Sequence, residues 1–555
     1  MQKVLVIQLA RMGDVLQSSA LVQGIREKNP DAMVTFLTSE KTRDVASSIG
    51  GVDDVISLDF GQASGIASDR EAGLSERYRR LSSLLNDLKG RCFDLVYNLN
   101  YSCVNTGLMN LIRYRRALCY SLDTSRRQIV KSPWLSYLLS MLGDRRLNLF
   151  NLVDLYLRGS GLSVRKPSLS FQLDRRAMDS VDRFLTGQGI QHRERLVGFQ
   201  LGAGDSVRCW PVDSYRVLAD RLIRRRGVRI LLFGTSSETP QAEALKACFT
   251  AEGTDPTRRG LVIDLVGKTS TRELACFLRR CDLLVTPDTG TMHLACAVGT
   301  RVLALFMGSA FPHETGPYGT NHFVLRPVLP CYPCFEGGPS CTSQECKRLI
   351  RPEKVALVVE RLLAGNNGDL EKGVSDFLDS NLILLRSAMT PDCVGYSRVC
   401  QSTASLEDVF ALAYRAMWQG VLDEDRICDS SGQANVLEAL AVPLHGGDLV
   451  GDLKEAERDF DRLQRMLAAY GASMRGGNGP SGPDLNLMAA TLRSEEDKRS
   501  RWAKPIPRFF DVEYANIRLS GRDVNRRVER LVGGLAWGAG FMKAFVRRLV
   551  RTLSS

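Results

Sequence analysis

The chain has 555 residues, and this length predicts two to four domains rather than one hydrophobic core. Hydrophobic residues make up 44% and charged residues 25%, which is typical of soluble globular proteins, and no apolar run reaches the roughly 18–20 residues of a membrane-spanning helix. The net charge of +12 indicates an anionic partner, such as nucleic acid, an acidic membrane surface or a phosphorylated glycolipid. Because the chain starts with a strand-like run and not a signal sequence, we expect a cytoplasmic protein.

Strand-like and helix-like runs alternate through residues 1–165, a pattern that favours a doubly wound parallel sheet. The predicted strands are Lys3–Leu9, Val34–Thr38, Val55–Leu58 and Asp94–Asn98. The predicted helices are Val15–Lys28 and Arg77–Leu88.

A glycine and a carboxylate occupy the turn between the first strand and the first helix. In open α/β sheets, ligands bind in the crevice above such turns. Gly13 leaves room for a ligand, and Asp14 is a candidate general base or a helix N-cap. The turn lacks a complete G-x-G-x-x-G, so it does not predict a dinucleotide site.

Residues 166–195 are the predicted interdomain linker, and residues 196–365 form a second α/β domain. A helix over Pro352–Leu363 should close this domain, with proline suited to its first turn. The predicted strands are Leu196–Leu201, Val228–Phe233, Leu261–Asp264, Leu283–Val285 and Val302–Phe306.

A second turn of the ligand-binding kind spans Thr286–His293, where another buried strand leads into a helix. Backbone N–H groups at such a turn have no partner within the helix and bind phosphate oxygens well. Gly290 allows a close approach of the backbone to a ligand. A Ser/Thr/Asp cluster at this place is also what a simple helix cap requires.

Four cysteines lie close together in the sequence, at Cys331, Cys334, Cys341 and Cys346. The C-x2-C spacing is typical of zinc or iron–sulfur ligands. In the cytoplasm the same residues can equally be reduced, partly buried thiols. Both interpretations stay open.

Residues 366–555 form a predicted helical extension, with helical spacing over Glu371–Ala388, Ser405–Trp418 and Leu453–Tyr470. The last segment, Arg518–Ser555, is basic and amphipathic. Such a helix either lies on an anionic membrane or packs its apolar face on the protein body. The sequence does not decide whether this extension recognises an acceptor, drives oligomerisation or carries a second activity.

Several motifs recur in a fixed order along residues 1–365. They are Leu9–Val15, Gly202–Gly204 with Arg208–Pro211, Phe233–Glu238, and Asp288–His293 with Gly316–Gly319. Together they resemble the glycosyltransferase family of the ADP-heptose:lipopolysaccharide heptosyltransferases. The resemblance implies two facing Rossmann-like domains of the GT-B type, with the acceptor on the N-terminal side and the nucleotide sugar on the C-terminal side.

The resemblance also implies roles for individual residues. Asp14 matches the family's catalytic base, and Arg208 stands where the family often has a lysine that contacts the donor phosphates. Glu238 matches the acid that binds the ribose hydroxyls, and its alternative role is that of a first-turn acid of the next helix. The remaining implied donor-site residues are Gly13, Gly202, Asp288, Thr289, Gly290 and His293.

The function implied by the resemblance is inverting, metal-independent transfer of a heptose from ADP-heptose to the lipopolysaccharide core. No cofactor is expected, because the nucleotide sugar is a substrate. The expected acceptor is an anionic glycolipid, reached by peripheral contact with the inner face of the inner membrane. Alternatives are another nucleotide sugar, a protein acceptor, or a non-catalytic nucleotide-sugar-binding scaffold. A nucleic-acid partner is not expected, because no recognised nucleic-acid-binding motif is present.

Overall fold

The protein contains two α/β domains and a C-terminal extension that packs against both. The computed structural model describes residues 1–555 apart from 59–85, 87, 144, 192–193, 251–259, 336–340, 366–373, 375–380, 391–392, 401–405, 424–448, 476–486, 493–499, 521–523 and 555. Most of the predicted helix Arg77–Leu88 falls outside the described residues.

A six-stranded sheet forms the N-terminal domain, in the order β3-β2-β1-β4-β5-β6, and all neighbours except β5 and β6 run parallel. The strands are β1 (Lys3–Ile7), β2 (Met33–Ser39), β3 (Asp54–Leu58), β4 (Cys92–Asn98), β5 (Arg113–Leu122) and β6 (Gln128–Val130). The four predicted strands are therefore confirmed. β1 lies inside the sheet because its apolar side chains are buried on both faces.

The helices of this domain are α1 (Met12–Gln17), α2 (Ser19–Lys28), α3 (Arg43–Ser47), α4 (Cys103–Leu111), α5 (Pro133–Ser140) and α6 (Leu152–Gly159). The single helix predicted over Val15–Lys28 is divided at Ser18. The hydroxyl of Ser18 donates a hydrogen bond to the carbonyl of Val15 at 2.7 Å. Such local bonds compete with a regular helix, which accounts for the division.

The C-terminal domain has an eight-stranded sheet in the order β14-β13-β12-β11-β10-β7-β8-β9. The strands are β7 (Leu196–Gln200), β8 (Arg229–Phe233), β9 (Val262–Asp264), β10 (Leu283–Thr286), β11 (Val302–Leu305), β12 (Phe323–Pro327), β13 (Leu382–Met389) and β14 (Val394–Arg398). β7 to β12 pair in parallel, as predicted for this half.

The last two strands correct the sequence prediction. The sequence predicts a helix over Glu371–Ala388, of which residues 371–373 and 375–380 lie outside the described residues. From Leu382 onward the prediction is wrong, because β13 pairs antiparallel with β12, and β14 pairs antiparallel with β13. The sheet of the second domain therefore reaches beyond residue 365 into the extension. Pairing with the β12 edge decides this, because tertiary contacts override the helical preference of a leucine-rich segment.

The helices around this sheet are α7 (Arg175–Gly187), α8 (Val212–Arg226), α9 (Thr239–Thr250), α10 (Thr271–Arg280), α11 (Gly290–Ala297), α12 (Pro312–Thr315), α13 (Glu345–Leu349) and α14 (Pro352–Ala364). α14 confirms the predicted closing helix. The segment predicted as the interdomain linker contains α7, which packs on α10 through the edge-to-face rings of Phe184 and Phe277, 5.6 Å apart.

The extension continues with α15 (Leu406–Leu422), α16 (Leu449–Arg475), α17 (Pro505–Ser520) and α18 (Val524–Ser554). These helices share a core with Trp134, Tyr137 and Phe150 of the N-terminal domain. Buried hydrogen bonds also connect the extension to the N-terminal domain. The hydroxyl of Ser136 donates to the carboxylate of Glu513, and the backbone N–H of Val130 donates to the side-chain oxygen of Asn516 at 3.1 Å.

The basic amphipathic segment forms α18 and packs its apolar face on the protein. Leu535, Met542 and Phe545 are fully buried in the core of the extension. Of the two alternatives left by the sequence, packing on the protein body is confirmed for the apolar face. Among the described residues, no helix is long and apolar enough to span a bilayer.

Trp418 tests how strongly the extension is joined to the N-terminal domain. Its indole is fully buried, 5.4 Å from the ring of Tyr137 and 4.9 Å from that of Phe509. We expect Trp418→Ala to lower the free energy of unfolding by about 3–5 kcal/mol, because it leaves a cavity in this core. Chemical denaturation followed by circular dichroism measures the loss. Trp537→Ala, at a partly buried position, is the control, and an equal effect of both changes would contradict the expectation.

Candidate active site

The two turns singled out in the sequence lie against each other where the two domains meet, and this contact is the interdomain junction. Gly13 on α1 faces His293 on α11, and a Cβ atom at residue 13 would lie 2.8 Å from the His293 Cδ2 atom. In the same way, a Cβ atom at Gly290 would lie 3.1 Å from Met12 Cβ. Glycine at both positions therefore permits the close approach of the domains.

Asp14 lies at this junction, in the first turn of α1. Its Oδ2 atom accepts a hydrogen bond from the backbone N–H of Arg11 at 3.1 Å, so it caps the helix from the third position rather than as the N-cap residue. Burial raises the pKa of this carboxyl group. The hydrogen bond from the Arg11 N–H and the positive charge of Arg11 lower the pKa in part, and the negative charge of Asp288 raises it further. A raised pKa makes the carboxylate a better proton acceptor.

An ion pair between Arg208 and Asp288 forms the opposite side of the junction. Arg208 Nη1 lies 3.1 Å from Asp288 Oδ2, and both side chains are mostly buried. The hydroxyl of Thr315 donates to the same carboxylate oxygen at 3.1 Å. Within the described part of the chain, the buried Arg208 Nε and His293 Nδ1 atoms have no hydrogen-bond partner.

His293 is an uncharged group at neutral pH. Burial lowers its pKa to about 4, although the nearby charge of Asp288 raises it in part. A neutral imidazole carries one N–H donor, so His293 can donate a hydrogen bond to an anion but does not supply a positive charge.

The N-terminus of α11 lies on the same side of the junction as the Arg208–Asp288 pair and His293. Thr289 is its N-cap residue, and its hydroxyl oxygen lies 3.4 Å from the backbone N–H of Met292. Gly290 is the first helical residue. The free N–H groups of this first turn and the helix dipole favour a negatively charged ligand.

Glu238 and Gly202 form a second part of the site, on the neighbouring β7 and β8 loops. Glu238 accepts hydrogen bonds from the backbone N–H and the hydroxyl of Thr235, at 2.7 and 2.8 Å. This is the first-turn capping that the sequence left as an alternative. A Cβ atom at residue 202 would lie 2.6 Å from Glu238 Cγ, so only glycine leaves space for this carboxylate.

The structure also shows supporting residues that sequence reasoning missed. Asn100, after β4, accepts a hydrogen bond from the backbone N–H of Leu9 at 2.7 Å and donates to Gln8, and so fixes the loop before Asp14. Thr315 directly precedes the Gly316–Gly319 motif, and this position was its only signal in the sequence.

The cysteine cluster remains a set of free thiols in this structure. Cys331 is exposed, whereas the other three are partly buried. Over the residues that the structure describes, no group of three or more histidine, cysteine or acidic side chains is arranged to hold a metal ion.

A family comparison matches residues 82–343 to glycosyltransferase family 9 (heptosyltransferase). The matched stretch covers a little less than half of the chain. The match contains Arg208, Glu238 and the Asp288–His293 turn, whereas Asp14 precedes it. The resemblance seen in the sequence is therefore confirmed, and the chain is a glycosyltransferase with two α/β domains of the GT-B type.

Curated relatives extend over both domains. The chain is 24% identical to lipopolysaccharide heptosyltransferase 2 of Salmonella typhimurium over 369 residues, which cover 65% of this chain and 99% of the relative. It is also 24% identical to lipooligosaccharide heptosyltransferase 2 of Haemophilus influenzae over 328 residues, covering 58% and 88% of the two chains.

Two solved structures are similar to this one in fold. ADP-heptose lps heptosyltransferase II of E. coli is 19% identical with a TM-score of 0.48, covering 66% of this chain and 99% of the E. coli chain. A family 9 glycosyl transferase from Veillonella parvula is 20% identical with a TM-score of 0.48, covering 66% and 98%.

The contact between residue 202 and Glu238 gives the first test of this glycosyltransferase site. We expect Gly202→Ala to displace the carboxylate and to weaken ADP binding about tenfold or more, the scale of a lost hydrogen bond to a charged group. Isothermal titration calorimetry measures the affinity. Gly204→Ala is the matched control, because its added Cβ atom meets only Arg208 Nη2, at an ordinary 3.7 Å. Equal affinities for the two variants would contradict the assignment.

Proposed function

We propose that this glycosyltransferase transfers a heptose from ADP-heptose to the lipopolysaccharide core, with inversion and without a metal ion. One observation carries the proposal. Two buried nitrogen atoms without partners in the described structure, Arg208 Nε and His293 Nδ1, lie with the N-terminus of α11 at the junction that Asp14 faces. The named activities of the curated relatives support the choice of heptose and lipopolysaccharide.

Asp14 is the proposed general base. Its carboxylate takes the proton from the acceptor hydroxyl, and the oxygen then attacks the anomeric carbon of the sugar as the bond to the diphosphate breaks. Attack from the face opposite the leaving group inverts the anomeric centre. The raised pKa of Asp14 suits this role, because a carboxylate with a pKa nearer neutrality is the stronger proton acceptor.

We propose that three groups stabilise the negative charge that develops on the departing diphosphate: Arg208, His293 and the backbone N–H groups at the start of α11. A guanidinium can bind two phosphate oxygens at once, and a helix N-terminus adds oriented dipoles. The pair with Asp288 holds the guanidinium in place before the donor arrives. These groups together provide the charge stabilisation for which other transferases use a divalent cation.

The proposed acceptor is an anionic glycolipid, met at the inner face of the inner membrane by a cytoplasmic enzyme. The net charge of +12 supports this, because basic side chains are attracted to an anionic surface. The apolar face of α18 is buried, so a contact through this helix has to be electrostatic. Exposed basic residues of α18 are available for it, namely Arg526, Arg530 and Arg551.

Nucleotide selectivity tests the donor. We expect ADP to bind more tightly than UDP or GDP in calorimetric titrations, and Glu238→Ala to reduce the ADP affinity about 10- to 100-fold, as expected when hydrogen bonds to a charged group are lost. Glu243→Ala, an exposed acid on α9, is the control. Preference for UDP or GDP would exclude ADP-heptose as the donor, but the protein would still be a glycosyltransferase that uses another nucleotide sugar. If no nucleotide binds, the nucleotide-sugar site itself is wrong.

Replacing the proposed base separates catalysis from binding. We expect Asp14→Asn to reduce the transfer rate about 10²- to 10⁴-fold, the range for loss of a general base, with ADP affinity unchanged. Asp44→Asn, an exposed first-turn acid on α3, is the control. Unchanged transfer by Asp14→Asn would favour a scaffold or another base.

The raised pKa of Asp14 also predicts a pH dependence. Below its pKa the carboxyl is protonated and cannot accept a proton, so activity should fall at a higher pH than an ordinary aspartate, near 3.9, would give. Because burial disfavours the charged form, this group destabilises the folded state as pH rises through the pKa. Asp14→Asn should therefore not lower the melting temperature at neutral pH, and a large loss would indicate a structural role.

A further inference from the structure

The strand β14 of the extension packs against the loop that contains the Gly316–Gly319 motif. A Cβ atom at Gly316 would lie 2.7 Å from Tyr396 Cζ, so the backbone of this loop and the Tyr396 ring are in direct contact. β13 and β14 have joined the sheet of the glycosyltransferase domain beside β12. The extension therefore contacts this loop on the donor side of the site and is part of the same folded domain.

Tyr396 makes polar contacts with both domains. Its hydroxyl donates a hydrogen bond to the carbonyl of Pro317 at 3.2 Å. The same oxygen lies 3.5 Å from the side-chain nitrogen of Asn151, at the start of α6 in the N-terminal domain. Asn151 also reaches the carbonyl of Gly316 at 3.5 Å. One tyrosine hydroxyl therefore sits where the extension and the two domains meet.

Asp154 holds the other end of the same loop. Its Oδ1 atom accepts a hydrogen bond from the hydroxyl of Tyr318 at 2.7 Å, and its Oδ2 atom accepts one from the backbone N–H of Val394 at 3.1 Å. Asp154, Tyr318 and Val394 are all buried. Buried hydrogen bonds of this kind fix the backbone in one arrangement, because an unmade bond would leave a desolvated polar group.

The loop leads directly to the proposed donor site. Thr315 precedes Gly316 in the chain, and its hydroxyl donates to Asp288 Oδ2 at 3.1 Å. That oxygen is the one that pairs with Arg208, also at 3.1 Å. A chain of contacts therefore runs from Tyr396 through Pro317 and Thr315 to the ion pair.

We propose that Tyr396 is a positioning residue for the donor site, which it serves by fixing the loop that aims Thr315 at Asp288. This assigns a role in glycosyl transfer to a residue of the extension, outside the stretch that matches family 9. The inference rests on the proposed function, because the donor diphosphate is what an oriented Arg208 binds. The extension then acts on the reaction from behind the site, without touching the substrate.

A double-mutant cycle tests this arrangement in the full chain. Tyr396→Phe removes only the hydroxyl, and Thr315→Val removes the hydroxyl at similar volume. We expect each change to weaken ADP binding about three- to tenfold, as for one lost hydrogen bond. If Tyr396 acts through Thr315, the double variant binds ADP no more weakly than the weaker single variant, whereas independent effects would multiply. Tyr470→Phe, at a partly buried position of α16, is the control and should bind like the unaltered chain.

Wild-type affinity for Tyr396→Phe, or effects that multiply in the double variant, would overturn the inference. Loss of affinity together with a large fall in melting temperature would do the same, because it would show a general loss of folding. If the unaltered chain binds no nucleotide, the proposed function fails instead. In that case a crystal structure of Tyr396→Phe decides the positioning role. A shift of Thr315 away from Asp288 supports it, and an unchanged Arg208–Asp288 pair overturns it.

Discussion

The buried pair of Arg208 and Asp288 is the interaction on which the donor side of the site depends. A charge removed from water is tolerated when an opposite charge and further hydrogen bonds compensate for the lost hydration. Asp288 follows β10 and Arg208 follows β7, and these two strands are neighbours in the sheet. Parallel pairing therefore brings together two residues that are 80 positions apart. Thr315 donates a further hydrogen bond to the same carboxylate oxygen that pairs with Arg208.

The small size of two glycines sets the distance between the domains at the site. Side chains at Gly13 and Gly290 would collide with His293 and Met12, so larger residues would push α1 and α11 apart. The same closeness buries His293 and leaves Asp14 half-buried. Burial then shifts the two pKa values in opposite directions, since it raises that of the acid and lowers that of the imidazole. Packing between domains thereby prepares a proton acceptor on one side and a neutral donor on the other.

The extension joins both domains and so limits how they can move. Its helices share a core with α5 of the N-terminal domain, while β13 and β14 continue the C-terminal sheet. α15 links the two directly, because Glu407 pairs with Arg146 of the first domain and Asp408 pairs with Arg398 of β14. Contacts of this extent favour one relative orientation, whereas domains that share only a small polar interface move readily.

The sequence by itself determined the two parallel sheets and the location of the ligand-type turns. Runs such as Lys3–Leu9 are apolar on both faces, which only a strand covered on both sides accommodates, and a glycine or carboxylate at the strand end marks the crevice. These features depend only on neighbouring residues, so they can be recognised in one amino-acid sequence without the structure. Asp14 and the Asp288–His293 turn were found in this way, whereas Arg208 and the roles of all these residues came from the family resemblance.

Only the tertiary structure decided the features that depend on distant partners. β13 became a strand because the edge of β12 was free to pair with it, although its own residues favour a helix. The apolar face of α18 met protein instead of lipid, a choice that helical periodicity cannot express. Thr315 and Tyr396 carry no signal of their own, since each owes its importance to a hydrogen bond whose partner lies far away in the sequence.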